Sequence, residues 1–125
     1  MNTGRTVAVI GASNNRRKFG NKALRAFEHR GYTVIAINPN EAEVERHKTF
    51  ASVLDVPGTI DMATVYIPAG PGVRVMEQIA EKKIAEIWLN PGADEPEVLE
   101  RARALGLNIV QACSIIGIGE SPARY

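Results

Sequence analysis

Short apolar segments alternate along the chain with segments whose apolar positions recur at helical spacing. Five apolar segments rich in β-branched residues predict strands, and most are apolar at successive positions rather than at alternate ones. Strands of this kind have both faces covered, which favours a parallel sheet between two layers of helices. The predicted strands are Val7–Ile10, Thr33–Ile37, Ala63–Ile67, Ile84–Leu89 and Leu107–Ala112.

Three segments between these strands have the apolar spacing of amphipathic helices. Right-handed crossovers through such helices predict a Rossmann-like, doubly wound α/β sheet of five parallel strands, with helices on both faces. The expected strand order is 3-2-1-4-5, and the irregular segment 41–56 is interpreted mostly as loop. The marker positions are Ala23, Leu24 and Phe27, then Val73, Met76 and Ala80, then Val98, Leu99, Ala102 and Leu105.

Size and charge then narrow the class of protein. The 125 residues, 45% of them hydrophobic, predict a single domain over residues 1–125. A formal charge of +1 is too balanced for the basic face that nucleic acids need. The longest apolar runs, such as Val7–Ile10, are far shorter than the ~20 residues that span a bilayer. With one cysteine and no apolar leader at the N-terminus, we expect a cytoplasmic protein that binds neither nucleic acid nor membrane.

Long connections rich in Gly, Pro and Asn leave the carboxyl ends of four predicted strands, whereas the turns at the opposite ends are short. Ligands of doubly wound sheets bind at the carboxyl edge, so we expect the functional loops there. The connections are Gly11–Gly20, Asn38–Asn40, Pro68–Gly72 and Asn90–Asp94.

The first of these loops contains three consecutive cations, Arg16, Arg17 and Lys18, directly before a predicted helix. Helix N-termini attract phosphate, so the loop is a candidate phosphate site, although a solvated charged loop is the plainer alternative. The dinucleotide fingerprint is matched only at Gly11, and Asn38 stands where NAD proteins have an acidic residue. NAD is therefore disfavoured, and NADP is left open.

Four short motifs in order resemble a known family: Gly11-Ala12-Ser13, Asn38-Pro39-Asn40, Ile67-Pro68-Ala69 and Asn90-Pro91-Gly92. Residues 5–114 are similar to the small stand-alone CoA-binding domain proteins, which resemble the N-terminal domain of the succinyl-CoA synthetase α subunit. The resemblance implies that coenzyme A is the cofactor. Its ligase activity does not transfer, because it covers only the nucleotide-side domain.

The resemblance also implies roles for individual residues. Four residues of the first loop would lie along the CoA phosphates, and the motif after the second strand would border the nucleotide end of CoA. Ile67 and Pro68 would form an apolar wall for the adenine or the pantetheine arm, and Asn90 and Pro91 match the loop after the fourth strand. Related sequences often have lysine at the position of Asn40, so Lys18 or Arg17 would have to supply that charge. The phosphate residues are Gly11, Ser13, Asn14 and Arg16, and the nucleotide-end residues are Asn38 and Pro39.

The sequence predicts no metal site and no catalytic triad, because it has no His or Cys pair at ligand spacing and no Gly-x-Ser-x-Gly elbow. We therefore hypothesise that the chain is a noncatalytic protein that binds CoA or acyl-CoA. The alternatives are an NADP-linked oxidoreductase subunit or fragment and an interaction module without ligand. Whether the chain forms a homo-oligomer or binds a partner protein is left open.

Cys113 follows the fifth predicted strand. A role as a buried hydrophobic side chain is favoured there over thiol exchange with CoA.

Overall fold

A computed structural model describes residues 3–125 of the chain. In this part of the chain, one sheet of seven strands has the order β3-β4-β2-β1-β5-β6-β7. The strands are β1 (Thr6–Ile10), β2 (Thr33–Ile37), β3 (Glu43–Val44), β4 (His47–Phe50), β5 (Met62–Val65), β6 (Glu86–Leu89) and β7 (Ile109–Gln111). The helices are α1 (Phe19–His29), α2 (Ala69–Lys82), α3 (Pro96–Ala104) and α4 (Ser114–Gly117), with 3₁₀ turns at Val53–Asp55 and Pro122–Arg124.

The central strand of the sheet is β1, whose Val7 pairs with Val34 of β2 on one side and with Met62 of β5 on the other. Every pairing is parallel except that of β3 with β4. These features confirm the Rossmann-like α/β fold that the apolar strands predict.

The core has two layers, one on each face of the sheet. Val7 and Val9 of β1 pack with Leu24 and Phe27 of α1. The alternate residues of the same strand belong to the opposite layer, which contains apolar side chains of α2 and α3. Because β1 buries both of its faces, its sequence is apolar at successive positions. The second layer includes Ala8, Ile10, Met76, Ile79 and Val98.

The predicted strand count and order require correction. The third predicted strand, here β5, pairs with β1, and does not lie outside β2 as the order 3-2-1-4-5 requires. The outer neighbour of β2 is β4, which lies in the segment interpreted mostly as loop. When β4 is counted as the third parallel strand along the chain, the parallel strands follow the order 3-2-1-4-5-6 of two mononucleotide-binding halves.

The missed segment forms a β-hairpin of β3 and β4. The two residues between these strands, Glu45 and Arg46, have φ values of 47° and 72°. Two-residue hairpin turns of this kind usually contain Asn-Gly or Asp-Gly, and here neither position is glycine. The sequence of the hairpin therefore lacks a conventional turn motif, and the turn contains the long charged side chains of Glu45 and Arg46.

Candidate functional site

A crevice opens at the carboxyl edge of the sheet, where the chain switches sides. From β1 the chain crosses to β2 on one side, and it later returns to β5 on the other, so the loops after β1 and β5 diverge. The crevice between them has a volume of about 650 Å³. Eight residues of the sequence-predicted site line it: Gly11, Ser13, Lys18, Asn38, Asn40, Ile67, Pro68 and Pro91.

A second cavity of about 450 Å³ adjoins the crevice on the β2 side and shares Gly11, Asn38, Asn40 and Ile67 with it. Pro39 lines this second cavity, so the motif after β2 borders both spaces. Arg74 and Gln78 of α2 face the same cavity. Arg74 thus provides a cation beside Asn40, on a helix that the sequence analysis did not connect to the site.

Two glycines allow close backbone contacts at the end of β1, with the segment after β5 and with α1. Gly11 has a φ of +95°, and a Cβ there would lie 2.8 Å from the carbonyl oxygen of Tyr66. At Gly20, a Cβ would lie only 2.1 Å from the carbonyl oxygen of Gly11. The side-chain amide of Asn38 donates a hydrogen bond of 2.7 Å to the Ala12 carbonyl and fixes the loop from the other side.

The N-terminus of α1 opens next to this loop. Its N-cap, Lys18, has no side-chain capping bond, and none of the described residues in the first turn is acidic. The first N–H groups of a helix lack intrahelical partners and carry partial positive charge. Because Lys18 also lines the crevice, a helix terminus and an ammonium group act on the same space.

Asn14 and Arg16 do not line either cavity, because both side chains point to the β3–β4 hairpin. The Asn14 amide donates to the Glu41 carboxylate at 2.9 Å and to the Glu43 carbonyl at 2.8 Å. The Arg16 guanidinium donates to both carboxylate oxygens of Glu45, at 3.1 and 2.9 Å. Their predicted place along CoA phosphates stays a prediction.

Glu45 at the hairpin tip and Asn21 of α1 complete this network. The Asn21 amide, which is fully buried, donates to the Ser13 carbonyl at 2.8 Å and to Glu45 at 2.9 Å. Hydrogen bonds from Arg16 and then from Asn21 lower the pKa of Glu45 to about 2. Arg25 donates to the Asn21 side-chain oxygen at 2.6 Å. Neither Asn21 nor Glu45 was predicted, although Asn21 lies one helical turn before Leu24, on the apolar side of α1.

Asn90 has a structural role. Its side chain is buried and makes three hydrogen bonds: its amide donates to Thr64 Oγ1 at 2.7 Å and to the Val65 carbonyl at 3.0 Å, and its oxygen accepts from the Ser114 N–H at 2.8 Å. The Ser114 hydroxyl also bonds to Thr64 and to the Tyr66 hydroxyl, at 2.7 and 3.1 Å. Burial raises the pKa of Tyr66. This neutral network joins β5, β6 and α4 behind the crevice.

A third cavity of about 260 Å³ lies on the β6 side and shares Phe19, Tyr66 and Pro91 with the crevice. Asn90, Cys113 and Ile116 also line it and do not line the crevice. Cys113 is half-buried, so it is at the carboxyl edge but is not a fully enclosed core residue.

Within residues 3–125, no three His, Cys, Asp or Glu side chains are grouped so as to hold a metal ion. None of the helices described there combines the length and the apolar character needed to cross a membrane.

Residues 5–118 match the family model of the CoA binding domain. The chain belongs to this family. A relative in Pyrococcus furiosus, the alpha subunit of ADP-forming acetate–CoA ligase II, is 28% identical in an alignment of 117 residues that covers 85% of this chain and 26% of that protein. The ADP-forming acetate–CoA ligase II of Archaeoglobus fulgidus is 32% identical over 84% of this chain and 17% of its own length. The chain therefore spans about a quarter or less of these relatives, and the resemblance expected from the four loop motifs is confirmed.

Solved structures share the same architecture. A conserved hypothetical protein from Pyrococcus furiosus superposes with a TM-score of 0.81 at 27% identity, covering 90% of this chain and 98% of that one. A dinucleotide-forming acetyl-coenzyme A synthetase from Candidatus Korarchaeum cryptofilum, in complex with phosphate and ADP, has a TM-score of 0.74 at 26% identity over 89% of this chain and 26% of its own. The domain thus occurs both in a protein of similar length and as part of a larger one.

Proposed function

We propose that this protein binds CoA or an acyl-CoA in the crevice, with the diphosphate on the loop between β1 and α1, and that it does so without catalysing a reaction. The observation that carries the proposal is a crevice at the switch point of the sheet in a chain of the CoA-binding family. Single-domain action in the cytoplasm, alone or with a partner protein, is part of the same proposal.

The first loop has the features that a diphosphate requires. The contact between Gly11 and Gly20 brings backbone close to the ligand space, and the N-terminus of α1 is directed towards it. Anions bind such helix ends through free N–H groups and the helix dipole. Lys18 adds a full positive charge at the same place.

The cavity on the β2 side suits the nucleoside end. In doubly wound folds the ribose lies over the end of the second strand, which supports a nucleoside site at Asn38 and Pro39. Asn40 and Gln78 offer polar groups for a purine edge, and Ile67 gives an apolar surface. Arg74 lines this cavity and supplies a cation for the 3′-phosphate of CoA, whereas the sequence analysis expected Lys18 or Arg17 to supply the charge missing at Asn40.

The side chains around the crevice support binding without catalysis. Its ionisable lining residues among those described are Lys18, Glu41 and Tyr66. Glu41 already accepts a hydrogen bond from Asn14, and burial keeps the Tyr66 hydroxyl protonated. The ligase activities named for the relatives belong to proteins of which this chain matches about a quarter or less.

Calorimetric titration with CoA, acetyl-CoA, NADP and NAD tests the proposal. We expect CoA and acetyl-CoA to bind, with an affinity that falls as salt is added, because exposed contacts between cations and phosphates are screened. Lys18→Ala weakens binding, whereas Arg103→Ala, which removes an exposed cation of α3, leaves it unchanged.

The other outcomes of this titration assign the alternatives. Preferential binding of NADP, together with hydride transfer when a partner protein is supplied, would support the hypothesis of an NADP-linked oxidoreductase. If none of the four nucleotides binds, the chain is an interaction module and the proposed function is wrong.

A further inference from the structure

The third cavity, on the β6 side of the crevice, is bordered by large apolar side chains that are exposed. Phe19 and Ile116 are large apolar side chains with exposed fractions of 49% and 64%, and both border this cavity. Pro91 and Pro122 add further apolar surface. Exposing such side chains costs free energy in water, so an exposed apolar cluster beside a polar site indicates a ligand with an apolar part.

The polar side chains that line this cavity direct most of their hydrogen bonds to other groups of the protein. The Asn90 side chain uses its amide on Thr64 and Val65 and its oxygen on the Ser114 N–H. The Tyr66 hydroxyl pairs with Ser114. A purine bound here would find few free hydrogen-bonding groups for its ring nitrogens and amino group, and polar groups buried without partners are costly. An aliphatic group meets no such penalty.

The direction of a bound CoA follows from the topology. With the nucleoside over β2 and the diphosphate on the first loop, the pantetheine arm leaves across the switch point towards β5 and β6. The crevice continues in that direction into the third cavity, because the two share Phe19, Tyr66 and Pro91. The thiol end of the ligand is therefore the part that reaches Cys113 and Ile116.

We infer that this cavity is an acyl pocket, and that the natural ligand is a CoA thioester with a short to medium aliphatic acyl group, bound in preference to free CoA. The inference rests on the proposed CoA function. The cavity volume of about 260 Å³ limits the size of the acyl group. At about 30 Å³ for each water-sized group, the cavity accommodates on the order of eight such groups, and some of them belong to the pantetheine end of CoA.

A titration series of CoA, acetyl-CoA, butyryl-CoA and hexanoyl-CoA measures the preference. Burial of one methylene strengthens binding by up to about fourfold, so we expect butyryl-CoA to bind on the order of tenfold more tightly than acetyl-CoA. Ile116→Ala reduces this gain, because it lowers the affinity for butyryl-CoA by more than it lowers the affinity for free CoA. Val110→Ala is the matched control, because Val110 is also exposed, at 39%, but lies on β7 outside the cavity.

Alkylation of Cys113 by iodoacetamide gives a second readout that does not depend on affinity. Butyryl-CoA protects this half-buried thiol more than an equally saturating concentration of CoA does, because its acyl group covers the cavity. Equal protection by the two ligands contradicts the acyl pocket.

Three results overturn the inference in distinguishable ways. Equal affinity for CoA and all three thioesters removes the acyl pocket and leaves CoA binding intact. A dimer in sedimentation that Ile116→Ala dissociates assigns the exposed cluster to contact between copies of the chain. Absence of binding by every member of the series overturns the proposed function together with the pocket.

Discussion

The two walls of the crevice are held in place by different kinds of interaction. On the loop side, Arg16 and Asn21 converge on the carboxylate of Glu45, and the guanidinium is largely exposed, with 65% of its side chain accessible. On the opposite side, Asn90 and Ser114 form a neutral network that is closed to solvent.

This difference separates two kinds of effect. Exposed ion pairs contribute little to folding stability, whereas an unsatisfied buried polar group is costly. Changes at the wall of Asn90 should therefore appear mainly in the free energy of unfolding. Changes to the exposed charged side chains of the loop wall should appear mainly in ligand binding.

The largest effect is expected for Asn90→Ala. The substitution removes three hydrogen bonds and leaves the buried Ser114 N–H without its acceptor, so we expect a loss of about 2 to 4 kcal/mol in unfolding free energy. Urea denaturation measures it. Asn40→Ala, at an exposed position, is the control and should stay within ~0.5 kcal/mol of the wild type. Similar values for the two variants would remove the distinction between the walls.

Gly20→Ala tests the close contact at the loop wall. A Cβ would lie 2.1 Å from the Gly11 carbonyl, so either α1 or the loop must shift, at a cost of about 1 to 3 kcal/mol. CoA affinity should fall as well, because the loop and the helix terminus move together. At Gly70, in the first turn of α2, a Cβ meets open space, and Gly70→Ala should be neutral or stabilise by up to about 1 kcal/mol. Equal stability of the two variants would show that the contact is not tight.

Within the first loop, Lys18 and Arg16 should differ in ligand binding. Lys18 lines the crevice, and Lys18→Ala should raise the dissociation constant of CoA by about threefold to fivefold, the range of an exposed charge pair. Arg16 is engaged by Glu45, so Arg16→Ala should have the smaller effect, although it also weakens binding through the positive charge it removes. Calorimetric titration of both single variants and the double variant with CoA measures this difference in affinity. An unchanged constant in all three would contradict the placement of the phosphates.

The smallest effect is expected in the pH dependence of Glu45. Its pKa in the folded protein, about 2, lies below its ordinary value of 4.5. The stabilisation is therefore complete above pH 4.5 and is lost as the pH falls towards 2. In Glu45→Gln the loss of stability between these pH values should be shallower, whereas Glu77→Gln, which removes an exposed partner of Arg101, is the control. Parallel acid denaturation curves for the wild type and Glu45→Gln would show that the ion pair does not form in solution.

The fold class was predictable because a strand that is buried on both faces of the sheet has apolar residues at successive positions. Val7 and Val9 face α1 while Ala8 and Ile10 face the opposite layer, so an unbroken apolar run indicates a central parallel strand. The order of strands was not predictable in the same way. It depended on β4, where Phe50 is the only apolar residue of His47–Phe50 and the strand follows a hairpin turn without glycine.

The crevice was predictable to the extent that loops after strands contribute to it. Gly11 and Asn38 follow strands directly, Ile67 and Pro91 are the second residues after strands, and all four line the crevice. Arg74 and Asn21 lie within helices, where their approach to the site depends on how the helices pack, which local sequence does not encode. Asn90 follows a strand as well, but its neighbours in space, Thr64 and Ser114, are distant in sequence, so its structural role emerged only in the folded chain.

The central claim, CoA bound at the carboxyl edge between β1 and β5, is tested most directly by following backbone amide signals in NMR spectra during titration with CoA. The account predicts that the largest shifts fall at Gly11, Lys18, Asn40 and Gly92, which line the crevice. The amides of Gly31 and Gly106, in the turns at the opposite edge of the sheet, should not move. Shifts confined to those turns, or no shifts at a saturating concentration of CoA, would contradict it.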